Sequence, residues 1–233
     1  MELAGTAAVV TGATEGIGRA IAFALGRAGA RVAICARTAA RVDATVRELA
    51  GAGVEAAGTA CDVSDPAAVE AFAAFVRGRF GAPRTVVNNA GIGRFQPLEE
   101  LSLEDWDRVL AVNVRSLYLV TRGFLGGMKA AGGGTIVNIA SLAGKNGVEG
   151  GTAYCASKHA VLGFSKALML EVRRHNIRVV AVCPGSVNTA FARPRPNRDR
   201  LLATDDVAHA VLAALTAPDR AMLSELDIRP TNP

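Results

Sequence analysis

The chain has 233 residues, of which 50% are hydrophobic and 20% are charged, and its formal net charge is +5. This composition supports a globular core and excludes an intrinsically disordered chain. The basic charge favours anionic ligands, but no long Lys/Arg run or mixed basic and aromatic stretch supports nucleic-acid binding. No apolar run approaches the ~18 residues that a membrane span needs, and no signal-peptide pattern opens the chain. We therefore expect neither a nucleic-acid partner nor a membrane.

The cysteines indicate a reducing environment. Cys35, Cys61, Cys155 and Cys183 lie in apolar segments and form no C-x-x-C pair. Such a pattern argues against a metal site and against a disulfide framework. We expect reduced thiols in a cytoplasmic protein without a metal.

Short apolar runs alternate with helical patterns along the chain. The predicted strands are 7–11, 31–36, 54–60, 85–88, 134–139, 177–183 and 224–228. The predicted helices are 16–28, 38–50, 66–80, 103–128, 153–175 and 205–216. This alternation predicts an α/β fold, a Rossmann-type doubly wound parallel sheet of about seven strands with helices on both faces. We expect one domain over residues 1–233, with an irregular segment at 190–204.

The first strand runs into a glycine-rich turn with the spacing G-x-x-x-G-x-G. Glycines permit a tight turn and a close approach of the backbone to a pyrophosphate. The helix that begins at Gly16 directs its free N–H groups toward that anion. The turn therefore predicts a dinucleotide site. Its candidate residues are Gly12, Thr14, Glu15, Gly16, Ile17 and Gly18.

The end of the second strand bears on which dinucleotide is bound. An NAD site usually places an Asp or Glu there to bond the ribose 2′-OH. This chain has Arg37 instead, and a guanidinium can hold a 2′-phosphate. Arg37 therefore favours NADP, whereas the neighbouring Glu15 would repel that phosphate, so NAD stays possible.

Tyr154 and Lys158 are the candidate acid–base pair. Their spacing of four places the phenol and the ammonium on one helix face. A phenol with its ordinary pKa near 10 is a poor base at neutral pH. A neighbouring Lys⁺ lowers that pKa, which makes the tyrosine useful for proton transfer.

Further polar and small residues lie beyond successive predicted strands, where an open parallel sheet binds its ligands. Asn113 is the exception, because it lies inside a predicted helix. The others are Asn89, Ala90, Gly91, Ser141, Pro184, Gly185, Val187 and Thr189.

In this order and spacing, the motifs resemble those of the classical short-chain dehydrogenase/reductase family, and bacterial 3-oxoacyl-[acyl-carrier-protein] reductase-like members in particular. The resemblance extends from about Leu3 to Thr204. It implies that Tyr154 protonates a carbonyl oxygen that Ser141 orients. It also implies that Lys158 holds the nicotinamide ribose and lowers the pKa of Tyr154, and that Asn113 anchors a water linking Lys158 to solvent.

The resemblance also implies the remaining cofactor contacts. Asp62 and Val63 would meet the adenine. The stretch Asn89-Ala90-Gly91 would line the cleft together with Pro184-Gly185, and Val187 and Thr189 would contact the nicotinamide carboxamide. The expected activity is NADP(H)-dependent interconversion of a small-molecule carbonyl and a secondary alcohol.

The substrate remains open at this point. The segment 190–204 would form a short substrate lid, and its basic residues suggest an acyl thioester; these are Arg193, Arg195, Arg198 and Arg200. The C-terminal stretch 224–231 departs from the glycine-rich tail of housekeeping fatty-acid enzymes, which favours a broad-range carbonyl or alcohol dehydrogenase using NAD as the alternative. A catalytically silent, cofactor-sensing binding protein is the alternative of another class, but such a protein would be expected to lose the Tyr, Lys or Ser.

Two helices predict a homo-oligomer, because their apolar residues cannot all face one sheet. One is the stretch 117–128. The other follows Tyr154 and contains Val161, Leu162, Phe164, Ala167, Leu168, Met169 and Leu170. The family resemblance suggests a dimer or a tetramer.

Overall fold

The structure is a computed structural model that describes residues 2–191 and 200–231. Its seven strands form one parallel sheet in the order β3-β2-β1-β4-β5-β6-β7. The strands are β1 (Ala7–Thr11), β2 (Arg31–Ala36), β3 (Ala56–Ala60), β4 (Thr85–Asn88), β5 (Gly134–Ile139), β6 (Ile177–Pro184) and β7 (Glu225–Ile228). The main helices are α1 (Gly16–Arg27), α2 (Ala39–Gly51), α3 (Pro66–Phe80), α4 (Leu103–Leu110), α5 (Ser116–Ala130), α6 (Thr152–Val172) and α7 (Thr204–Thr216).

Helices cover both faces of the sheet, which explains why its strands are continuous apolar runs. Val10 of β1 belongs to the core on one face, together with Ile21 of α1 and Leu215 of α7. Its neighbour Val9 belongs to the core on the other face, with Phe72 of α3. The doubly wound parallel sheet predicted from the alternation is thus confirmed.

Three predicted elements differ from the observed ones by more than one residue, each for a local reason. The third strand begins at Ala56, because the Val54 N–H bonds back to the Leu49 carbonyl and closes α2. The helix predicted over 103–128 is interrupted by a π-helical turn, Ala111–Arg115. The helix predicted over 153–175 ends at Val172, and a 3₁₀ turn then leads to Asn176 in the left-handed region at φ 57°.

A polar ladder crosses the sheet interior between β4 and β5. The Asn88 amide donates to Asn138 Oδ1 at 2.9 Å, and these residues are also partners in the strand register. Asn138 in turn donates to Ser165 Oγ on α6 at 2.9 Å. Buried amides must find such partners, so this ladder fixes the register of β4 against β5.

The strand order reverses between β1 and β4, which are neighbours at the centre of the sheet. In such sheets a crevice opens at the carboxyl ends of the two strands on either side of the reversal. Thr11 ends one of these strands and Asn88 the other. None of the described helices combines the length and apolar character needed to cross a lipid bilayer.

Candidate active site

A cavity of about 690 Å³ lies at this edge of the sheet. Catalytic candidates at its wall are Ser141, Tyr154 and Lys158. The predicted cofactor residues at its wall are Gly12, Thr14, Glu15, Gly16, Ile17, Arg37, Asp62, Val63, Asn89, Ala90, Gly91, Pro184, Gly185, Val187 and Thr189. Gly18 and Asn113 lie behind the wall instead of lining it.

The glycine turn needs its glycines for both conformation and space. Gly12 and Gly16 have φ values of +64° and +56°, which L side chains rarely adopt. A Cβ on Gly12 would lie 2.9 Å from the Ala90 Cα. The floor of this part of the cavity is therefore bare backbone, as close approach of a pyrophosphate requires. The residues present fit a dinucleotide.

Asn89 holds the glycine turn to the end of β4. Its side-chain amide donates to the carbonyls of Thr11 and Gly12 at 2.9 and 3.1 Å. A Cβ on Gly18 would lie 2.3 Å from that amide nitrogen and 2.4 Å from the Gly12 carbonyl oxygen. Gly18 therefore allows α1 to pack closely against the turn, and it does not itself line the cavity.

Asp62 lies at the predicted adenine end and is held in its charged form. Burial alone would raise its pKa, but hydrogen bonds from Ser64 and from the Arg108 guanidinium lower it to about 2. The Arg108 Nη2–Asp62 Oδ2 distance is 2.9 Å. Arg108 comes from α4, so this pair connects the adenine end to the helix that leads to Asn113.

Arg41 was missed by the sequence reasoning and changes the electrostatics around Arg37. It lines the cavity from the first turn of α2, and its Nη1 lies 3.0 Å from Glu15 Oε2. The carboxylate that argued against a 2′-phosphate is therefore paired. Within residues 2–191 and 200–231, Arg37 has no carboxylate partner, so this end of the cavity keeps a positive charge.

Tyr154 and Ser141 meet at the other end of the cavity. The Tyr154 side chain is buried, and burial raises the pKa of its phenol, while a hydrogen bond with Ser141 lowers it. Burial has the larger effect, so the pKa of the phenol lies above its ordinary value. The Lys158 Nζ lies 5.7 Å from the centre of the phenol ring, which places the ammonium beside the ring face.

Lys158 is buried one helical turn beyond Tyr154. Its ammonium donates to the Ile139 carbonyl at the end of β5 at 2.8 Å. Burial lowers the pKa of Lys158 to about 8, and the nearby Cys183 opposes this change. Lys158 is therefore mainly charged at neutral pH and loses its proton in mildly alkaline solution.

Asn113 lies in the π-helical turn and joins two parts of the site. Its Oδ1 accepts the Ile92 N–H at 2.8 Å, and its amide donates to the Ile92 carbonyl and to Ser157 Oγ, both at 2.9 Å. Ser157 donates to the Tyr154 carbonyl at 2.7 Å. The side chain of Asn113 is thus engaged within the protein. Such π turns recur at functional sites.

Ser141 begins a short 3₁₀ turn, Leu142–Gly144, between β5 and α6. Its Oγ accepts the Ala143 N–H at 3.1 Å. A Cβ on Gly144 would lie 2.7 Å from the Lys158 carbonyl oxygen, so the turn packs directly on α6. Ser141 Oγ also lies 3.5 Å from the Pro184 carbonyl oxygen, and it interacts with the Tyr154 phenol.

Apolar side chains that no sequence motif indicated line the cavity beside Tyr154. Phe95 and Phe191 flank the phenol, with ring centres 5.3 and 5.6 Å from it. Val148 also lines this end. Phe95 follows β4 by several residues in an irregular loop, where no spacing rule applies.

The segment after β6 covers the glycine turn. Thr189 Cγ2 lies 3.5 Å from the position of a Cβ on Gly16, and Val187 pairs with Leu202. The C-terminal residues Arg229 and Pro230 also line the cavity, which no sequence motif indicated. Of the basic residues assigned to the lid, Arg193, Arg195 and Arg198 lie outside the described residues, and Arg200 is exposed.

No group of three or more His, Cys, Asp or Glu side chains in the described part of the chain is arranged to hold a metal ion. All four cysteines are free thiols.

Comparisons with known proteins agree with this geometry. The family model described as short chain dehydrogenase matches residues 6–200. The 3-oxoacyl-[acyl-carrier-protein] reductase FabG of Pseudomonas aeruginosa is 41% identical over 86% of this chain and 81% of its own length. The D-threitol dehydrogenase of Mycolicibacterium smegmatis is 43% identical over 80% of this chain and 72% of its own length.

A solved structure gives the same result. A metagenomic short-chain oxidoreductase in complex with NADP is 42% identical, and the match covers 100% of both chains with a TM-score of 0.88. The chain therefore belongs to the short-chain dehydrogenase/reductase family and is an NAD(P)-dependent oxidoreductase.

Proposed function

We propose that the chain reduces a ketone to a secondary alcohol with NADPH, and that Tyr154 supplies the proton. The observation that carries the proposal is the position of the Tyr154 phenol. It contacts Ser141 and lies between two aromatic rings at the end of a cavity that begins with a glycine turn.

In this mechanism, the nicotinamide supplies the hydride to the carbonyl carbon when the cofactor is bound. Ser141 and Tyr154 donate hydrogen bonds to the carbonyl oxygen, and the phenol gives up its proton as the alkoxide forms. The raised pKa of Tyr154 keeps the phenol protonated, which suits an acid. Lys158 holds the ribose, and its ammonium stabilises the resulting phenolate.

In this proposal, Asn113 supports the reprotonation of Tyr154. The π turn that contains it would hold a water between Lys158 and solvent, through main-chain groups. Gly91 adjoins both residues, since a Cβ there would lie 3.3 Å from Asn113 Oδ1 and 3.8 Å from Lys158 Nζ. Tyr154 would then regain a proton through Lys158 after each turnover.

NADP is the proposed cofactor because the adenosine end carries Arg37 and Arg41, while the carboxylates of Glu15 and Asp62 there are each paired with an arginine. Guanidinium groups form strong, charge-assisted hydrogen bonds to phosphate. The metagenomic relative solved with NADP supports the same choice. Asp62 and Val63 would contact the adenine, and Val187 and Thr189 the nicotinamide end.

A 3-oxoacyl thioester is the proposed substrate class. The cavity beside Tyr154 is walled by Phe95, Phe191 and Val148, which suit an acyl chain better than a polyol. The 41% identical 3-oxoacyl reductase supports this class. The D-threitol dehydrogenase relative favours a polyol as the second candidate, and the aromatic wall argues against it.

We also propose that the chain works in the cytoplasm as a homodimer or homotetramer joined by α5 and α6. Val161, Leu162 and Leu168 are buried within one chain, so these side chains do not need a partner. Tyr118 of α5 and Leu170 of α6 remain 47% and 58% exposed, and they would form the contact. Light scattering that finds a monomer at micromolar concentration would contradict this.

The function is tested by following NADPH consumption with acetoacetyl-CoA, a simple dione, a ketosteroid and a keto sugar. Tyr154→Phe should reduce turnover by about 10²-fold or more while NADPH binding persists, because it removes only the acid. Tyr118→Phe, which alters the other tyrosine, should retain activity. Turnover retained by Tyr154→Phe would refute the mechanism, and activity on none of the carbonyls would refute the function.

A further inference from the structure

The turn that begins with Ser141 is fixed at its far end by a cluster of charges that the mechanism above does not use. Lys145 directly follows the 3₁₀ turn Leu142–Gly144. Its ammonium pairs with the carboxylates of Glu225 and Asp227 on β7, the latter at 2.5 Å. The three side chains keep only 28%, 28% and 35% of their surface exposed, so water weakens these pairs less than ordinary surface pairs.

The residues from Ser141 to Lys145 form one hydrogen-bonded unit. The Gly144 N–H donates to the Ser141 carbonyl at 2.9 Å, and the Lys145 N–H donates to the Leu142 carbonyl at 3.0 Å. Ser141 Oγ accepts the Ala143 N–H. A displacement at Lys145 is therefore transmitted to Ser141.

This unit lies between two parts of the site. Gly144 contacts the Lys158 backbone, as described above. Leu142 Cδ1 lies 3.2 Å from the position of a Cβ on Gly185, and the Gly185 N–H donates to the Ile228 carbonyl at 2.8 Å. The turn thus has little free space on either side, and its placement depends on how β7 is held.

Among the described residues, Lys145 is the basic group closest to both carboxylates. Glu225 and Asp227 are two residues apart, so they lie on one side of β7 and repel each other. Lys166 of α6 and Arg229 approach them only at 3.6 and 3.8 Å, with 71% and 59% of their side chains exposed. The thiol of Cys183, opposite Asp227 on β6, stays neutral because burial raises its pKa to about 11.

We propose that Lys145 is a positioning residue: by joining the Ser141 turn to β7, it keeps the Ser141 hydroxyl against the Tyr154 phenol. The inference rests on the proposed function, in which that hydroxyl and phenol hold the carbonyl. Glu225 and Asp227 come from the C-terminal stretch that departs from a glycine-rich tail, so this stretch supports the catalytic turn.

The Tyr154 phenol reports directly on this contact, because the hydrogen bond with Ser141 opposes the rise that burial causes in its pKa. Of the titratable groups around it, Cys155 also raises this pKa, and Lys158 lies beside the ring. Neither group contacts Lys145. Loss of the Lys145 contacts should therefore raise the pKa of Tyr154 through Ser141 alone.

The experiment titrates Tyr154 by the near-ultraviolet absorbance of its phenolate. The sequence has two tyrosines, so Tyr118→Phe leaves Tyr154 as the single reporter. Four further variants are made in that background: Ser141→Ala, Lys145→Met, Lys145→Arg and Lys166→Met. Lys166→Met is the matched control, because it removes another partner of Glu225 without touching the turn. Far-ultraviolet circular dichroism verifies the fold across the titration.

Ser141→Ala should raise the titration midpoint of the Tyr154 phenol by about one pH unit. Lys145→Met should raise the same midpoint by about half a unit or more. Lys145→Arg should restore the parent midpoint, and Lys166→Met should not move it. Equal midpoints for Lys145→Met and Lys166→Met would overturn the proposal, as would an unshifted Ser141→Ala.

Asp227→Asn provides a second variant if Lys145→Met does not fold, and it should produce a similar rise. If both variants lose their fold, Lys145 is needed for folding rather than for positioning, and the proposal fails.

Turnover provides an independent readout. With NADPH and a carbonyl that the parent reduces, Lys145→Met should lower kcat about three- to tenfold and change the KM for NADPH less, since Lys145 does not line the cavity. A parent protein without any carbonyl reduction would refute the proposed function, yet the titration would still test the contact. If the parent is active and Lys145→Met and Lys166→Met have equal titration midpoints, only the role of Lys145 is refuted.

Discussion

Replacing the two arginines at the adenosine end tests the preference for NADP. Arg37 has no carboxylate partner among the described residues, whereas Arg41 neutralises Glu15 at 3.0 Å. A charge-assisted hydrogen bond is worth about 1.5 kcal/mol or more, so Arg37→Ala should weaken NADPH binding about tenfold.

Arg41→Ala should cost NADPH binding more than Arg37→Ala does, because it removes one cation and also leaves the Glu15 carboxylate unpaired beside the phosphate. In the reverse sense, Glu15→Gln should strengthen NADPH binding. None of the three changes should weaken NADH binding, since NADH has no 2′-phosphate to lose contact with.

The measurement is the dissociation constant of each cofactor from nicotinamide fluorescence, which needs no substrate. Arg19→Ala is the matched control, because Arg19 pairs with Glu48 and does not line the cavity. An unchanged ratio of NADPH to NADH affinity in both Arg37→Ala and Arg41→Ala would refute the reasoning. A parent protein that binds NADH more tightly than NADPH would refute it as well.

Three further predictions concern packing, pH and the substrate wall. Gly18→Ala should destabilise the fold by about 1–3 kcal/mol, because its Cβ would lie 2.4 Å from the Gly12 carbonyl oxygen. Gly78→Ala on α3, where a Cβ meets nothing within 4 Å, should instead stabilise by up to about 1 kcal/mol; urea unfolding that ranks the two variants in the opposite order would contradict this. The lowered pKa of Asp62, about 2 against an ordinary 3.8, contributes stability that is complete above pH 3.8 and is lost as the pH falls through 2. Arg108→Met should therefore shift acid unfolding to higher pH, and an identical acid midpoint would exclude this contribution. Phe95→Ala should raise the KM for acetoacetyl-CoA with little change in NADPH affinity, and the opposite pattern in steady-state kinetics would place the substrate elsewhere.

Local patterns were sufficient to predict the fold. Continuous apolar strands such as β1 signal a sheet covered on both faces, and the glycine turn marks where the first helix begins. Most predicted cofactor residues line one cavity because the carboxyl ends of parallel strands lie at one edge. The π turn around Asn113 was not predictable, because its sequence continues the helical pattern on both sides.

The features that were missed depend on contacts between distant parts of the chain. Arg41 affects the cofactor site only because α2 brings it beside Glu15. Phe95 and Phe191 become a substrate wall only when their loops meet over Tyr154. The helical spacing of Tyr154 and Lys158 does not reveal that the phenol is buried, and this burial raises its pKa.

The polar ladder between β4 and β5 has a consequence for errors in strand alignment during folding. Asn88 pairs with Asn138 inside the sheet, and the next residue, Asn89, holds the glycine turn. A slip of β4 that placed Val87 opposite Asn138 would remove the buried amide from its partner and withdraw Asn89 from the turn in the same movement. Misalignment of β4 therefore costs hydrogen bonds in the buried interior and disrupts the glycine turn together. The same strand thus favours its own correct register and the correct form of the cofactor site.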